Sequence, residues 1–327
     1  MDGNRDHINP AHEQSRKIKG VVTQWNPRIS IVMDEYTAST VFGERYKHGA
    51  DSLISGGINS NTHLDIMGQV LNKFIPAMGD ALQDAVTEAR ADRNAIGLPQ
   101  TISFLMEVRG IRLADQHFHS RVGTNLVKIQ TILETASDDF DSVLSTVEDA
   151  LQEFIDSDED IIFTDSSVRE TGNFTLIDIN NGSVVHPEIE FIRTTPSEAN
   201  LTRTRAEVYT IPLPCFDDAN KLENLGLEVE KPEHGFNGTV ETLIIETSQV
   251  TPSQCEGTYL NTVTTTARER NIMLPPGSFR VSAKQKNAAM AFIALELENI
   301  DSYMTFNITQ VDEGEEYPVF RVCREQS

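Results

Sequence analysis

Cysteine is scarce in this chain: Cys215, Cys255 and Cys323 are its only three, an odd count without metal-ligand spacing. That excludes a disulfide-built scaffold and favours a reducing compartment. Basic residues are few as well, 27 against 50 acidic, which leaves a net charge of −23. Such a surface repels phosphate backbones, so neither sequence-independent nor direct sequence-specific nucleic-acid binding is expected. No apolar run is long enough for a membrane span. The polar opening residues, 1–20, lack the apolar stretch of a cleavable signal, and none is expected. Also missing are the G-x-S-x-G elbow, the phosphate-binding loop, G-x-G-x-x-G and H-E-x-x-H.

What is present is a long periodic stripe. From Thr124 to Ile155 the apolar positions are Leu126, Ile129, Leu133, Ala136, Phe140, Val143, Val147, Leu151 and Phe154. Steps of three and four keep them on one side of a helix. Thr124 offers an N-cap, and neither Gly nor Pro interrupts the run. At about 1.5 Å per residue such a helix runs roughly 45 Å and needs a partner for its stripe.

The first twenty residues, with Arg5, Arg16, Lys17 and Lys19, read as a polar arm. Gly20 to Trp25 and Arg28 to Tyr36 read as strands around the Asn26-Pro27 turn, a hairpin or a pair of edge strands. Asp51 to Asn61, rich in Gly, Ser and Asn, reads as a loop. A second stripe from Leu64 to Ala89 predicts two helices over about 63–75 and 77–93, or one helix kinked at Pro76. Thr101 to Arg109 fits either a buried strand or a short helix. Eleven acidic residues and no Lys or Arg lie between Glu134 and Asp160. Beyond them, short strand-like runs such as 161–164, 207–213, 240–250 and 317–323 alternate with turn signals, as in a sandwich or jelly roll. Ala288 to Leu297 fits a buried strand or a helix.

Two groups have ligand-like spacing. Asp156, Asp158 and Asp160 resemble the opening of a calcium loop, but Ile161 stands where Gly is needed and Ser167 where a bidentate Glu is needed. His117 and His119, with Asp115, could share one face of a strand, yet no further ligand is suggested nearby. Five Asn-x-Ser/Thr triplets, at Asn173, Asn181, Asn200, Asn237 and Asn307, lie in the second half. No catalytic, cofactor-binding or metal residue is therefore assigned.

These features predict an α+β protein with a helical N-terminal half of long amphipathic helices and a β-rich C-terminal half. The expected divisions are an arm over 1–20, a mostly helical assembly domain over 21–155 with a short hairpin, and a β-rich domain over 156–327. The function this suggests is a non-enzymatic, homo-oligomeric structural subunit of a virus or phage particle, located in the virion. Its expected partners are copies of itself and other virion proteins. The alternatives are a cell-surface adhesive module whose β half binds glycans and an enzyme with a dispersed acidic site.

Overall fold

The computed structural model describes residues 2–79, 81–82 and 86–323. The opening segment, read as a polar arm, is folded onto the body. The Asp6 carboxylate accepts hydrogen bonds from the N–H groups of Ala11 and His12 at 2.8 Å each, and Ile8 is wholly buried. Helix α1 (Glu13–Trp25) follows and stops at Asn26, whose left-handed backbone turns its N–H onto the Val22 carbonyl. The strand expected over Gly20 to Trp25 is thus the last turns of a helix. Its β-branched pair Val21-Val22 is overridden by tertiary contact: Lys19 is buried and donates to the Ala95 carbonyl at 3.3 Å.

Strands β1 (Ile29–Thr37), β3 (Ser52–Gly56), β4 (Ala81–Leu82) and β5 (Ile102–Ile111) form a sheet of order β1-β5-β3-β4, while β2 (Tyr46–His48) pairs elsewhere. β1 runs parallel to β5, so the hairpin expected at Asn26-Pro27 is not formed. β3 lies wholly within the stretch read as a loop and is buried at all five positions. Its glycine signal was a packing demand: a Cβ on Gly56 would meet Val70 Cγ1 at 2.7 Å. Between β3 and β4 the chain forms α2 (Leu64–Gln69), a widened π turn over Val70–Phe74 and α3 (Ile75–Met78), ending at left-handed Gly79. The π turn accommodates Pro76, which has no N–H to give. The helix expected over 77–93 does not form; β4 and the short α4 (Asp92–Gly97) stand there instead.

The long stripe divides into α5 (Phe118–Asp138) and α6 (Phe140–Asp156), broken at Asp139, whose φ of −135° leaves the helical region. Asp139 is held there by an ion pair with Lys73. Ile132, Val143, Val147 and Ala150 are buried against Ile54, Phe74, Phe104 and Met106, whereas Leu126, Leu133 and Phe140 are exposed.

The rest of the chain comprises β6 (Ile161–Asn173), β7 (Leu176–Asp178), β8 (Val184–Val185), β9 (Glu188–Arg203), β10 (Ala206–Ile211), α7 (Phe216–Asn224), β11 (Phe236–Cys255), β12 (Thr258–Leu274), β13 (Phe279–Ser282), α8 (Ala288–Leu295) and β14 (Phe320–Cys323). A five-stranded sheet of order β12-β11-β14-β10-β13 packs around α8, in which every residue is buried. The same core takes in Ile8, Ala89, Ala95 and Leu98 from the first half. The expected helical half followed by a β half is therefore wrong: strands run through the whole chain, and helices are dispersed among them. The stripe from Leu64 to Ala89 misled because its apolar positions as far as Leu82 are shared among α2, the π turn, α3 and β4 rather than carried by long helices.

Candidate active site

Period-two alternation along β1 and β5 sorts their side chains to two sides of the sheet. Ile102, Phe104 and Met106 pack with α5 and α6, while Ser103 bonds the Arg93 carbonyl on the α4 side at 2.8 Å. Glu107 shares the parity of Ser103, and its register partner on β1 is Asp34. The two carboxylates therefore stand side by side near the middle of two parallel strands, facing α4.

Two other segments converge on this pair. The short 3₁₀ turn Gly3–Arg5, capped by Asp2, brings the Asn4 amide to Asp34 Oδ2 at 3.3 Å, with half-buried Arg5 beside it. The start of α4 brings Asp92 and Arg93. Asp92 Oδ1 accepts from the Arg93 N–H at 2.6 Å, and the Arg93 guanidinium donates through Nη2 to the Val86 carbonyl at 2.6 Å. Arg93 is only 1% exposed, and its Nε finds no hydrogen-bond partner among the described residues, nor does buried Asn4 Oδ1. A buried donor and a buried acceptor left unmatched in one place are costly in a purely structural arrangement.

The electrostatics agree. Burial, helped by nearby Arg5 and opposed by the attraction of Asp92, Glu107 and Glu88, lowers the Arg93 guanidinium to about 10. Burial raises the Asp92 carboxyl above its ordinary value, Asp34 adds to the rise, and Arg93 and Arg5 oppose it. Opposed shifts among neighbouring ionisable groups are a mark of a functional site. Chemically, a pair of carboxylates beside two guanidiniums and an amide can hold an anionic ligand group and move a proton next to it.

The groups singled out by spacing lie elsewhere. His117 and His119 are exposed at the start of α5, His117 as its N-cap residue in a left-handed conformation. Asp156, Asp158 and Asp160 are exposed where α6 gives way to β6. Neither group joins a set of three metal-ligating side chains among the described residues. The residues that do converge, Asn4, Arg5, Asp34, Asp92, Arg93 and Glu107, come from four separated segments and share no local motif. One signal was present: an acidic residue near the end of each of two strand-like apolar runs.

No described protein family matches the chain, and no solved structure does either. Similar proteins occur in dermatophyte fungi. "Carboxypeptidase 2" of Trichophyton tonsurans is 38% identical over 98% of this chain and 64% of its own length. "Carboxypeptidase 2" of Trichophyton rubrum is 37% identical with the same coverage, and "Probable carboxypeptidase 2" of Arthroderma benhamiae is 37% identical over 92% of this chain and 62% of its own length. The chain thus spans just under two thirds of these relatives. Similarity running along nearly the whole chain to proteins named as peptidases overturns the expectation of a non-enzymatic virion subunit, and with it the virion location.

Proposed function

We propose that the chain is a carboxypeptidase, releasing the last residue of a peptide at the cluster around Asp34 and Glu107. The observation that carries this reading is the pairing of two carboxylates with two guanidiniums at register-matched positions of adjacent parallel strands, in a chain similar to proteins of that name. An exopeptidase of this kind must recognise a free α-carboxylate and hydrolyse the amide next to it. Arg5 and Asn4, on the partly open side, hold the carboxylate, and buried Arg93 adds positive potential behind them. Glu107 takes a proton from the attacking water as the C–O bond forms and delivers it to the leaving nitrogen as the C–N bond breaks. Asp34, fixed by the Asn4 amide, orients that water.

The test is hydrolysis of N-terminally blocked peptides carrying either a free carboxylate or a carboxamide at the C-terminus. The expected result is release of single C-terminal residues from the free acids alone. Internal cleavage, equal cleavage of the amides, or no release overturns the proposal.

A further inference from the structure

Two neighbouring strands of one sheet are covered very differently. Seven of the ten residues of β5 are buried, but only Tyr36 of the nine in β1. Parallel strands are ordinarily buried on both faces. β1 is an outer strand that pairs with β5 alone. The Arg28 carbonyl accepts from the Ile102 N–H at 3.1 Å. Alternate residues in a parallel ladder turn their backbone groups to opposite sides, so those of Ile29, Ile31, Met33 and Glu35 face the outer edge. The Glu35 N–H is met by the side chain of Asp34 at 2.7 Å, not by a neighbouring strand.

The layers above and below are open at the same strand. On one face, Met33 (50% exposed) lines a shallow hollow with Phe118 (55%) and Val122 (41%) of α5. On the other, α1, which leads directly into β1, leaves Ile18, Val21 and Trp25 exposed at helical spacing. Helix, sheet and helix therefore all present uncovered apolar groups around one strand. Proteins protect exposed edges with lysine, proline or bulges, and Ile29 to Met33, with sequence ISIVM, contains none of the residues used for this.

We propose that the outer edge of β1 docks one further apolar β-strand, supplied by polypeptide equivalent to the portion of the fungal relatives that this chain does not match. Matched length accounts for 64% of the Trichophyton proteins, which leaves ample sequence for a strand and its covering helix. A second copy of this chain is a poor occupant, since each carries a net charge of −23. A strand docked about 4.8 Å from β1 would also run beside Asp34 and close the open side of the site described above.

The test reads binding rather than turnover, so it stands apart from the hydrolysis assay. The full chain is co-expressed with the segment of the Trichophyton tonsurans protein lying outside the shared stretch, and the pair is co-purified. Expected are a one-to-one complex and exchange at the outward amides of Ile29, Ile31 and Met33 slowed about tenfold or more, with β5 unchanged. Met33→Lys and Phe118→Glu, both at exposed positions, should each weaken the complex about tenfold without lowering the thermal midpoint of the chain alone. Three results overturn the proposal: no complex, a complex indifferent to both substitutions, or outward amides already protected in a self-associated chain.

Discussion

Two buried groups of charges in this molecule are built on opposite principles. In the β-rich part, Arg321 Nε lies 2.8 Å from Glu296 Oε1, Tyr209 donates to the same oxygen at 2.7 Å, and Arg203 reaches both Glu296 and Glu298. Arg321 also pairs with Glu241. Burial alone would lower the Arg321 guanidinium, but Glu296 and the other anions around it hold it above its usual value. Around Asp34 and Glu107, by contrast, burial lowers the Arg93 guanidinium and raises the Asp92 carboxyl. In the first group every acid faces an arginine, and these pairs fasten strands together. The second meets solvent at exposed Asp34 and half-buried Arg5, which leaves room for a ligand to join it.

Glu107→Gln separates the two most sharply. The substitution keeps shape and removes the proton acceptor, so release of C-terminal residues should fall about 10²–10⁴-fold with little change in the urea midpoint. Equal loss of stability and activity would make Glu107 structural. The converse change, Glu296→Ala, strands Arg321 and Arg203 in the interior and should cost about 3–5 kcal/mol, as breaking one side of a buried pair does. A shift in urea midpoint measures it. A negligible shift would mean the network contributes no net stability.

Lys19 is an intermediate case, a buried cation whose charged neighbour is another cation. Burial, with a smaller push from Lys286, lowers its amine to about 7. A base depressed in the fold contributes stability that is present in full above its unfolded value near 10.5 and is lost as pH falls through about 7. Between pH 10 and 7 the chain should lose up to about 1.4 kcal/mol per pH unit from this group. Lys19→Met should remove that slope and raise stability at pH 7. Parallel pH profiles for the two proteins would refute the assignment.

These contrasts also account for what the sequence displayed. Strands of the second half were legible where side chains alternate between core and water: the runs at 161–164 and 240–250 fall inside β6 and β11, while 207–213 matches β10 only as far as Ile211. β3 was hidden because its Gly56 looks like a turn and is a close approach. α1 was hidden because Val21-Val22 carries strand propensity while Lys19, a polar residue, anchors the helix. The site was hidden for a different reason. Asp34 and Glu107 become neighbours only through a parallel crossover, and Arg5 and Arg93 join them only once both flanking segments pack. No spacing rule along the chain encodes such a meeting.

The smallest effect concerns the stripe that dominated the sequence. Its two middle members have opposite fates: Val147 is 4% exposed in the core beneath β5, and Leu133 is 63% exposed. The break at Asp139 is the cause, because it resets the helical phase so that α6 buries Val143, Val147 and Ala150 while α5 buries Ile132 one position earlier than Leu133. Val147→Ala removes two buried carbons and leaves a small cavity, a cost of about 2 kcal/mol. Leu133→Ala removes groups already in water and should stay within about 0.5 kcal/mol. Chemical unfolding of the two variants side by side decides the matter. A large cost at Leu133 would mean that its face of α5 is covered in solution, and the hollow between α5 and β1 would be the first place to look for what covers it.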